Sequence, residues 1–454
     1  MPYDADLLTQ IGNTPLVELR NIDTGVCRLF VKLESQNPSG SIKDRIAVSM
    51  IDDAERRGLL KPGGRIVEAT AGNTGLALAV VAARRGYQLT LVIPDKMSRE
   101  KIAHLKAMGA EVVLTRSDVG KGHPEYYQDL AADLARATGA FYTDQFNNPA
   151  NPAAHEAGTG PEIWHQMIGE VDAVVAGVGS GGTLTGLGRF FARVSPKTEI
   201  VLADPKGSIL ADYVNHGTIG EAGSWLVEGI GEDFVPPVSD LSLVRRAYTI
   251  ADGESFGTAR VVLRKEGILV GSSSGTLIAA ALRYCREQTE PKRVVTFVCD
   301  SGNKYLSKMY NDFWMEDQGL LARDNFGDLR DLIARRHEEG AVVVASPEDS
   351  LATAYQRMKL YDVSQLPVLI GDHCVGIIDE SDILLAVEEH HALFDSPVST
   401  AMVTRLETVA PTAPIDQLIR LFDRGKVAIV VDDERFLGLI TRMDFLNHLR
   451  RKAA

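Results

Sequence analysis

The chain has 454 residues, of which 24% are charged, and its formal net charge is −13. A chain of this length is expected to hold about three folding units. The excess of acidic residues argues against nucleic acid or anionic membrane as a partner, because both bind clustered positive charge. No apolar run reaches the roughly 20 residues of a transmembrane helix, and no segment has the composition of a signal or transit peptide.

Cysteines and histidines are scattered rather than clustered. The ten histidines show no metal-ligand spacing, so no metal site is predicted,. Four cysteines lack a CxxC motif or paired spacing, which indicates buried, reduced thiols in a cytoplasmic protein: Cys27, Cys285, Cys299 and Cys374,.

The first informative element is a helix that is predicted to begin near Lys43. Four apolar residues have helical spacing there: Ile42, Ile46, Met50 and Ile51,. Ser39 or Ser41 can cap this helix, so Lys43 falls in the first turn, near the positive end of the helix dipole. This setting lowers the lysine pKa and favours the neutral amine, which attacks an aldehyde to form a Schiff base. The alternative is a solvated surface lysine.

A strand, a loop and a helix follow between Ile66 and Ala83. The amides at the start of such a helix, with the hydroxyls of Thr70 and Thr74, can hold a substrate carboxylate. Asn73 presents an amide that suits the hydroxyl oxygen of an aromatic ring. The alternative is an ordinary turn with asparagine as the turn former.

A glycine-rich loop, Gly177 to Thr183, follows the buried-strand run Val171 to Val175 and precedes another helix. Glycines let the backbone approach an anion closely, while the helix start supplies free N–H groups and Ser180 and Thr183 add hydroxyl donors. The loop lacks a GK[ST] ending and the G-x-G-x-x-G spacing, which argues against nucleoside triphosphates and dinucleotides. It predicts a phosphate site, with a plain flexible turn as the alternative.

A run of three serines, Ser272 to Ser274, lies between glycines at the start of a further predicted helix. A serine hydroxyl facing a pyridine nitrogen would leave that nitrogen largely unprotonated, unlike a carboxylate. The alternative is capping and turn chemistry.

An internal repeat occupies the chain after Trp314. Val375 to Leu384 returns as Leu437 to Leu446, and each copy is preceded by proline and a helical segment. Each unit is predicted to run β-α-β-β-α. Units this short bury too little surface to stand alone, so the two copies are expected to pack together as one α+β module.

Together these elements resemble the fold-type II pyridoxal-phosphate enzymes of β-replacement, the group containing cysteine synthase and cystathionine β-synthase. The resemblance covers about residues 7 to 316. Its motifs are Ile11 to Leu16, Asn37 to Arg45, Thr70 to Gly75, Gln145 to Pro149, Gly179 to Thr183 and Ser272 to Gly275. It implies an α/β fold of the tryptophan synthase β type with two subdomains. The tail resembles tandem cystathionine-β-synthase-type domains, which bind adenosyl ligands.

The resemblance implies the following division of the chain. Residues 1–318 would form the catalytic domain, with a small subdomain at about 44–145. Residues 319–340 would be a linker, and the two tail repeats would span 341–395 and 396–454. Because the fold starts by about Leu7, no haem-binding extension and no haem are expected. The active form is expected to be a homodimer or a larger homo-oligomer.

The resemblance also assigns roles to single residues. For the cofactor, pyridoxal 5′-phosphate, they are Lys43 as the Schiff-base lysine, Asn73 for the ring hydroxyl, Gly179, Ser180, Gly181, Gly182 and Thr183 for the phosphate, and Ser273 for the ring nitrogen. For the substrate they are Thr70, Ala71, Gly72, Thr74, Gln145, Phe146 and Gly229. In the tail, Thr441 and Asp444 would meet the ribose of an adenosyl ligand, whereas the first copy has Asp379 in the threonine position.

The expected reaction is a β-replacement on an amino acid through an aminoacrylate intermediate. The stretches Leu226 to Phe234, Asp252 to Phe256 and Asp300 to Met315 resemble the enzyme that joins L-serine and L-homocysteine to give L-cystathionine. Phe146 and Ala71 instead resemble cysteine synthase, which uses O-acetylserine and sulfide. We expect the first activity, with the second as the alternative. A third possibility is a sensor of adenosyl ligands without catalysis.

Overall fold

The computed structural model describes residues 6–453 except 71, 96, 98, 121, 389 and 390; at 99, 100, 391, 392 and 451–453 it describes the backbone alone. The predicted site residue Ala71 therefore lies outside the described residues. The chain forms two compact units, and it passes from the first to the second between Tyr310 and Asn311.

The first unit alternates strands and helices, as in an α/β protein. Its strands are β1 (Leu16–Glu18), β2 (Arg28–Lys32), β3 (Arg65–Ala69), β4 (Gln88–Pro94), β5 (Glu111–Thr115), β6 (Phe141–Tyr142), β7 (Ala173–Ala176), β8 (Glu199–Pro205), β9 (Arg246–Ile250) and β10 (Arg293–Phe297). Its helices are α1 (Lys43–Arg56), α2 (Asn73–Arg85), α3 (Arg99–Ala107), α4 (Tyr127–Thr138), α5 (Ala150–Ala154), α6 (Gly160–Gln166), α7 (Gly182–Val194), α8 (Leu210–His216), α9 (Asp252–Glu266) and α10 (Ser272–Arg286). A π-helical turn, His155–Thr159, joins α5 to α6.

The larger sheet of this unit has six strands in the order β1-β2-β10-β7-β8-β9. All neighbours run parallel except β1, which pairs antiparallel with β2. The central strand β7 is buried at all four residues, as expected for a parallel strand that is covered on both faces,. The carboxyl ends of β7 and β10 lead into the glycine loop and into the stretch that begins at Cys299, respectively.

The smaller sheet has four parallel strands in the order β5-β4-β3-β6. One apolar cluster joins this sheet to α1 and α2, and another joins it to α4. These strands fall within the predicted small subdomain of about residues 44–145. The α/β fold class that the sequence predicts is confirmed.

The second unit contains two similar halves. Its helices are α11 (Asp312–Asp317), α12 (Leu351–Tyr361), α13 (Glu380–Val387), α14 (Ile415–Asp423) and α15 (Arg442–Ala453). Its strands are β11 (Gln365–Ile370), β12 (His373–Asp379), β13 (Thr408–Val409), β14 (Ala428–Asp432) and β15 (Arg435–Ile440). Leu369, Ile429 and Phe436 share one buried cluster, so the two copies pack against each other as predicted.

The apolar core of each half includes side chains from a segment that, along the chain, comes just before the other half. Leu329, Leu332 and Ile333 are buried in the core formed by β13, β14, β15 and α14. Conversely, Val398 is buried in the core formed by α12, β11, β12 and α13. Val403 extends this contact through a β-bridge to Ile377.

The domain boundaries stay predictions, and this packing bears on two of them. The stretch 319–340, predicted as a linker, contributes apolar side chains to the second repeat. Residues just after the predicted start of the second repeat, 396, belong to the core of the first. We propose that the tail module begins before residue 341 and that its repeats exchange these entry segments.

Candidate functional site

Lys43 is the first residue of α1, as the apolar spacing predicts. The Oγ of Ser41 accepts a hydrogen bond from the Lys43 backbone N–H at 3.3 Å, although Ile42 occupies the cap position. Burial lowers the pKa of the Lys43 ammonium, and the nearby groups Cys299, Glu232 and Asp300 offset that effect only in part. Within the described part of the chain, Nζ has no hydrogen-bond or ion-pair partner. The site thus holds a half-buried lysine whose amine favours its neutral form.

The stretch that follows β10 connects Lys43 to the serine run. The carbonyl of Cys299 accepts from Ile42 N–H at 2.8 Å, and the Cys299 N–H donates to Ser274 Oγ at 2.9 Å. Ser272 Oγ accepts in the same way from the N–H of Glu228 at 3.1 Å. The hydroxyls of Ser272 and Ser274 thus accept from backbone N–H groups. The hydroxyl of Ser273 does not, and it lies beside the Cys299 thiol.

Asn73, the first residue of α2, belongs to a polar network that the sequence did not reveal. Its Nδ2 donates to Asp300 Oδ2 at 2.8 Å, and its Oδ1 accepts from Lys304 Nζ at 2.8 Å. Asp300 is fully buried, and its other carboxylate oxygen makes no hydrogen bond to a described residue. The two partners lie more than two hundred residues after Asn73, so no local pattern could identify them.

The glycine loop leads from β7 into α7 and is shaped by close backbone contacts. A Cβ on Gly179 would meet the carbonyl of Gly229, and Gly181 has a φ of +89°, which favours glycine,. The first turn of α7 has no side-chain cap, so its N–H groups are available to an anion,. Ser239 Oγ is buried next to Gly181 and has no hydrogen-bond partner among the described residues. This cradle fits a phosphate group.

Two buried side chains, Asn151 and His155, contact residues of the glycine loop. Asn151 donates to Ser180 Oγ at 2.9 Å and to the Gln145 carbonyl at 2.7 Å, which ties the glycine loop to the predicted substrate residues. His155 Nε2 lies 3.1 Å from Thr183 Oγ1. Burial, and then the positive charge of Arg45, lowers the pKa of His155 well below its ordinary value, so this histidine is neutral. Sequence reasoning assigned no site role to Asn151 or His155.

The loop between β3 and α2 faces Gln145. Thr74 donates to Gln145 Oε1 at 2.8 Å, and Gln145 Nε2 donates to the Ala69 carbonyl at 3.2 Å. Thr70 Oγ1 accepts from the N–H of Gly72 at 3.1 Å. Of the predicted substrate residues, Thr74 and Gln145 are thus in direct contact across these two segments. Phe146, which follows Gln145, packs its ring 5.8 Å from that of Phe234.

A buried charged cluster borders this loop. Glu228 forms ion pairs with Lys101 and, at 2.7 Å, with Lys308. Burial disfavours ionisation of Glu228, but the two lysines outweigh it and lower the pKa of the carboxyl. The Lys101 ammonium also lies 4.7 Å from the centre of the Tyr305 ring. Sequence reasoning noted the stretches around Glu228 and Lys308 but did not pair them.

In the second unit, Thr441 and Asp444 form a hydrogen-bonded turn at the start of α15. Asp444 Oδ2 accepts from both the N–H and the Oγ1 of Thr441, each at 2.7 Å. The first copy has a matching capping box between Asp379 and Asp382. The two residues predicted to bind a nucleotide therefore contact each other, and both also stabilise the start of α15.

Two further features are absent from the described residues. No helix there is both long and apolar enough to span a membrane. No group of three potential metal ligands occurs in the same part of the chain.

Family models and known relatives match both units. A model described as pyridoxal-phosphate dependent enzyme matches residues 7–300, and one described as CBS domain matches residues 330–389 and 398–451. Cystathionine β-synthase of Apis mellifera is 36% identical, over 98% of this chain and 91% of its own. Cysteine synthase A of Escherichia coli (strain K12) is 44% identical, over 68% of this chain and 96% of its own. The crystal structure of O-ureido-L-serine synthase has a TM-score of 0.64 and 34% identity, and it covers 72% of this chain and 98% of its own.

Proposed function

Because this chain belongs to the pyridoxal-phosphate dependent enzymes, we propose that it joins L-serine to L-homocysteine by β-replacement to give L-cystathionine. The observation that carries the proposal is the extent of similarity. A relative named cystathionine β-synthase aligns with 98% of the chain, both CBS domains included, whereas cysteine synthase A aligns with 68%. The alternative of a sensor of adenosyl ligands without catalysis is dropped, because the chain belongs to a family of enzymes.

The residues of the first unit suit pyridoxal phosphate. Lys43 would hold its aldehyde carbon, Asn73 its ring hydroxyl, Gly179 to Thr183 its phosphate and Ser273 its ring nitrogen. This assignment is supported by the lowered pKa of the lysine at the start of α1 and by the cradle at the start of α7. When bound, the cofactor supplies an electron sink that makes the α-proton of an amino acid acidic.

Lys43 is the group that would move protons. Once the amino group of serine had displaced it from the cofactor, the Lys43 amine would be neutral because of its lowered pKa, so it could take the α-proton of serine and pass a proton to the hydroxyl, which would leave as water,. After the thiol sulfur has bonded to the β-carbon, the same amine returns a proton to the α-carbon. Thr70, Thr74 and Gln145, with the amides of α2, would hold the substrate carboxylate meanwhile.

Cysteine synthase activity is the second candidate. Two observations favour it: the 44% identity to cysteine synthase A over 68% of the chain, and Phe146 beside the substrate loop. Acetate leaves more readily than hydroxide, so an enzyme with fewer polar groups at this point would favour O-acetylserine.

The four pairings of serine or O-acetylserine with homocysteine or sulfide test the choice. We expect kcat/KM for homocysteine with serine to exceed that for sulfide with O-acetylserine by about tenfold or more, because buried polar groups discriminate strongly between substrates. Product identification by mass spectrometry, with initial rates, measures this. Dominant cysteine formation with no cystathionine would establish the second candidate instead.

The tail module is proposed to bind one adenosyl ligand, such as AMP, ATP or S-adenosylmethionine, mainly through Thr441 and Asp444. CBS domains commonly bind such ligands, and a carboxylate can accept from both ribose hydroxyls,. The capping box at Asp379 leaves two carboxylates in the first copy, which suits a ribose less well.

Calorimetry of the full chain with each nucleotide tests this proposal. We expect Asp444→Ala to weaken binding by about 1.5 to 3 kcal/mol, the usual range for a hydrogen bond to a charged group. The matched control is Asp382→Ala, which removes the equivalent helix-start carboxylate of the first copy and is expected to have the smaller effect. Equal losses in the two variants would assign both carboxylates to helix capping alone.

We also propose a cytoplasmic location and a homo-oligomeric state. The first is supported by the four cysteines, which are all free thiols. The second is supported by apolar side chains that α13 and α15 leave exposed within the second unit, Leu385 and Met443 among them,.

A further inference from the structure

The charged cluster around Glu228 has a gradient of exposure. The side chains of Lys101, Glu228 and Lys308 are 3%, 10% and 26% exposed, respectively. Glu228 is therefore held between a buried lysine and a lysine that the solvent reaches. Among the described residues, Glu228 is the only ion-pair partner of Lys308.

This cluster adjoins the residues proposed to hold cofactor and substrate. The backbone N–H of Glu228 donates to Ser272, the neighbour of Ser273. The stem of Lys101 packs so closely against Gly72 that a Cβ there would lie 2.8 Å from its Cδ. Tyr305, under the Lys101 ammonium, donates to Asp300, which in turn accepts from Asn73.

The double pairing of Glu228 makes Lys308 easy to release. Removing the partner of a buried carboxylate is normally costly, because it leaves an uncompensated charge. Here the Lys101 ammonium would still neutralise Glu228 after Lys308 had moved away. Lys308 can thus exchange Glu228 for another carboxylate without leaving a buried charge unpaired.

An amino-acid nucleophile brings such a carboxylate, whereas sulfide does not. The Thr70 to Thr74 loop is already proposed to hold the carboxylate of the first substrate. We infer that Lys308 is a specificity-determining residue that binds the α-carboxylate of the second amino acid, the thiol nucleophile. This inference rests on the proposed function and extends it from the reaction to the choice of nucleophile.

A comparison of nucleophiles, with serine as the constant first substrate, tests the role of Lys308. Homocysteine and 3-aminopropane-1-thiol share a thiol and an ammonium group, but only homocysteine has the carboxylate. In Lys308→Met, we expect the ratio of kcat/KM for homocysteine to kcat/KM for the carboxylate-free thiol to fall about tenfold or more, mostly through KM. Lys308→Arg, which keeps a cation, is expected to restore most of the ratio.

Lys197→Met is the matched control, because Lys197 is exposed on the same unit and lies in a turn. It is expected to leave the ratio at the wild-type value. A fall in both efficiencies by the same factor in Lys308→Met would overturn the inference, since loss of structure affects both nucleophiles alike. Failure of the wild-type enzyme to form cystathionine at all would instead overturn the proposed function.

Discussion

The Lys43→Ala variant is expected to lose the visible absorption band of the bound cofactor and to lose β-replacement activity by about three orders of magnitude or more. The half-buried Lys43 begins α1 and its amine has a lowered pKa, so the variant loses the group proposed as covalent partner and proton carrier. Absorbance spectra of wild type and variant, each incubated with pyridoxal phosphate, measure the first effect. Rates of cystathionine formation measure the second.

The control for this experiment is Lys265→Ala, which removes an exposed lysine from the end of α9 and should leave both spectrum and rate at wild-type values. A colourless wild-type protein, or an unchanged spectrum in Lys43→Ala, would contradict the cofactor assignment. The same wild-type spectrum tests the prediction that the protein carries no haem, because haem would add a Soret band.

Arg45→Met is expected to lower the free energy of unfolding of the first unit strongly. Arg45 is two residues after Lys43, and its guanidinium pairs with Glu34 and with Glu162, each at 2.7 Å. The side chain of Glu34 is fully buried and that of Arg45 is 5% exposed. Removing one partner of a buried ion pair costs about 3 to 5 kcal/mol, because the remaining charge stays in a low-dielectric environment.

Differential scanning calorimetry of the transition in which the first unit unfolds measures this loss. Arg56→Met is the matched control, since Arg56 lies on the same helix and pairs with Asp53, but its side chain is 73% exposed. An exposed ion pair contributes about 0 to 1 kcal/mol, so the control is expected to shift the transition only slightly. Similar shifts in both variants would show that the Arg45 network contributes little.

The same network predicts how stability depends on pH. Burial raises the pKa of Glu162, but Arg45 and then Lys32 outweigh burial and bring it to about 2, below its ordinary value of 4.5. A carboxyl with a lowered pKa stabilises the folded state above its ordinary pKa, and this contribution disappears as the pH falls through the folded value. The wild-type first unit should therefore lose stability from about pH 4.5 towards pH 2, and Arg45→Met should lose less over this window.

The parts of the site that sequence could predict are those encoded in short segments. The start of α1 at Lys43 follows from apolar spacing, and the anion cradle at α7 follows from its glycines and the strand before it. Both depend on neighbours within about ten residues, which periodicity and capping rules describe well.

The parts that sequence could not predict are pairings between distant segments. Asn73 meets Asp300, and Glu228 meets Lys101, through bonds that span 227 and 127 residues, respectively. Such pairs depend on how the two sheets come together, and a charged residue has the same sequence signature whether it is solvated or buried in an ion pair. The repeats show the same limit: the β-α-β-β-α order predicted for each copy is confirmed in the second, but the opening strand of the first is only an isolated bridge between Ala345 and Val368, and the exchange of entry segments was not predicted.

That exchange has a consequence for how the protein is made. Leu329 and Ile333 leave the ribosome long before Ile440, the last strand residue of the core that they complete. The first repeat can close as soon as Val398 has emerged, but the second stays open until β15 has been synthesised. A nascent chain that stalls before β15 therefore carries an unshielded apolar segment near residue 330, and such exposed apolar surface favours aggregation,.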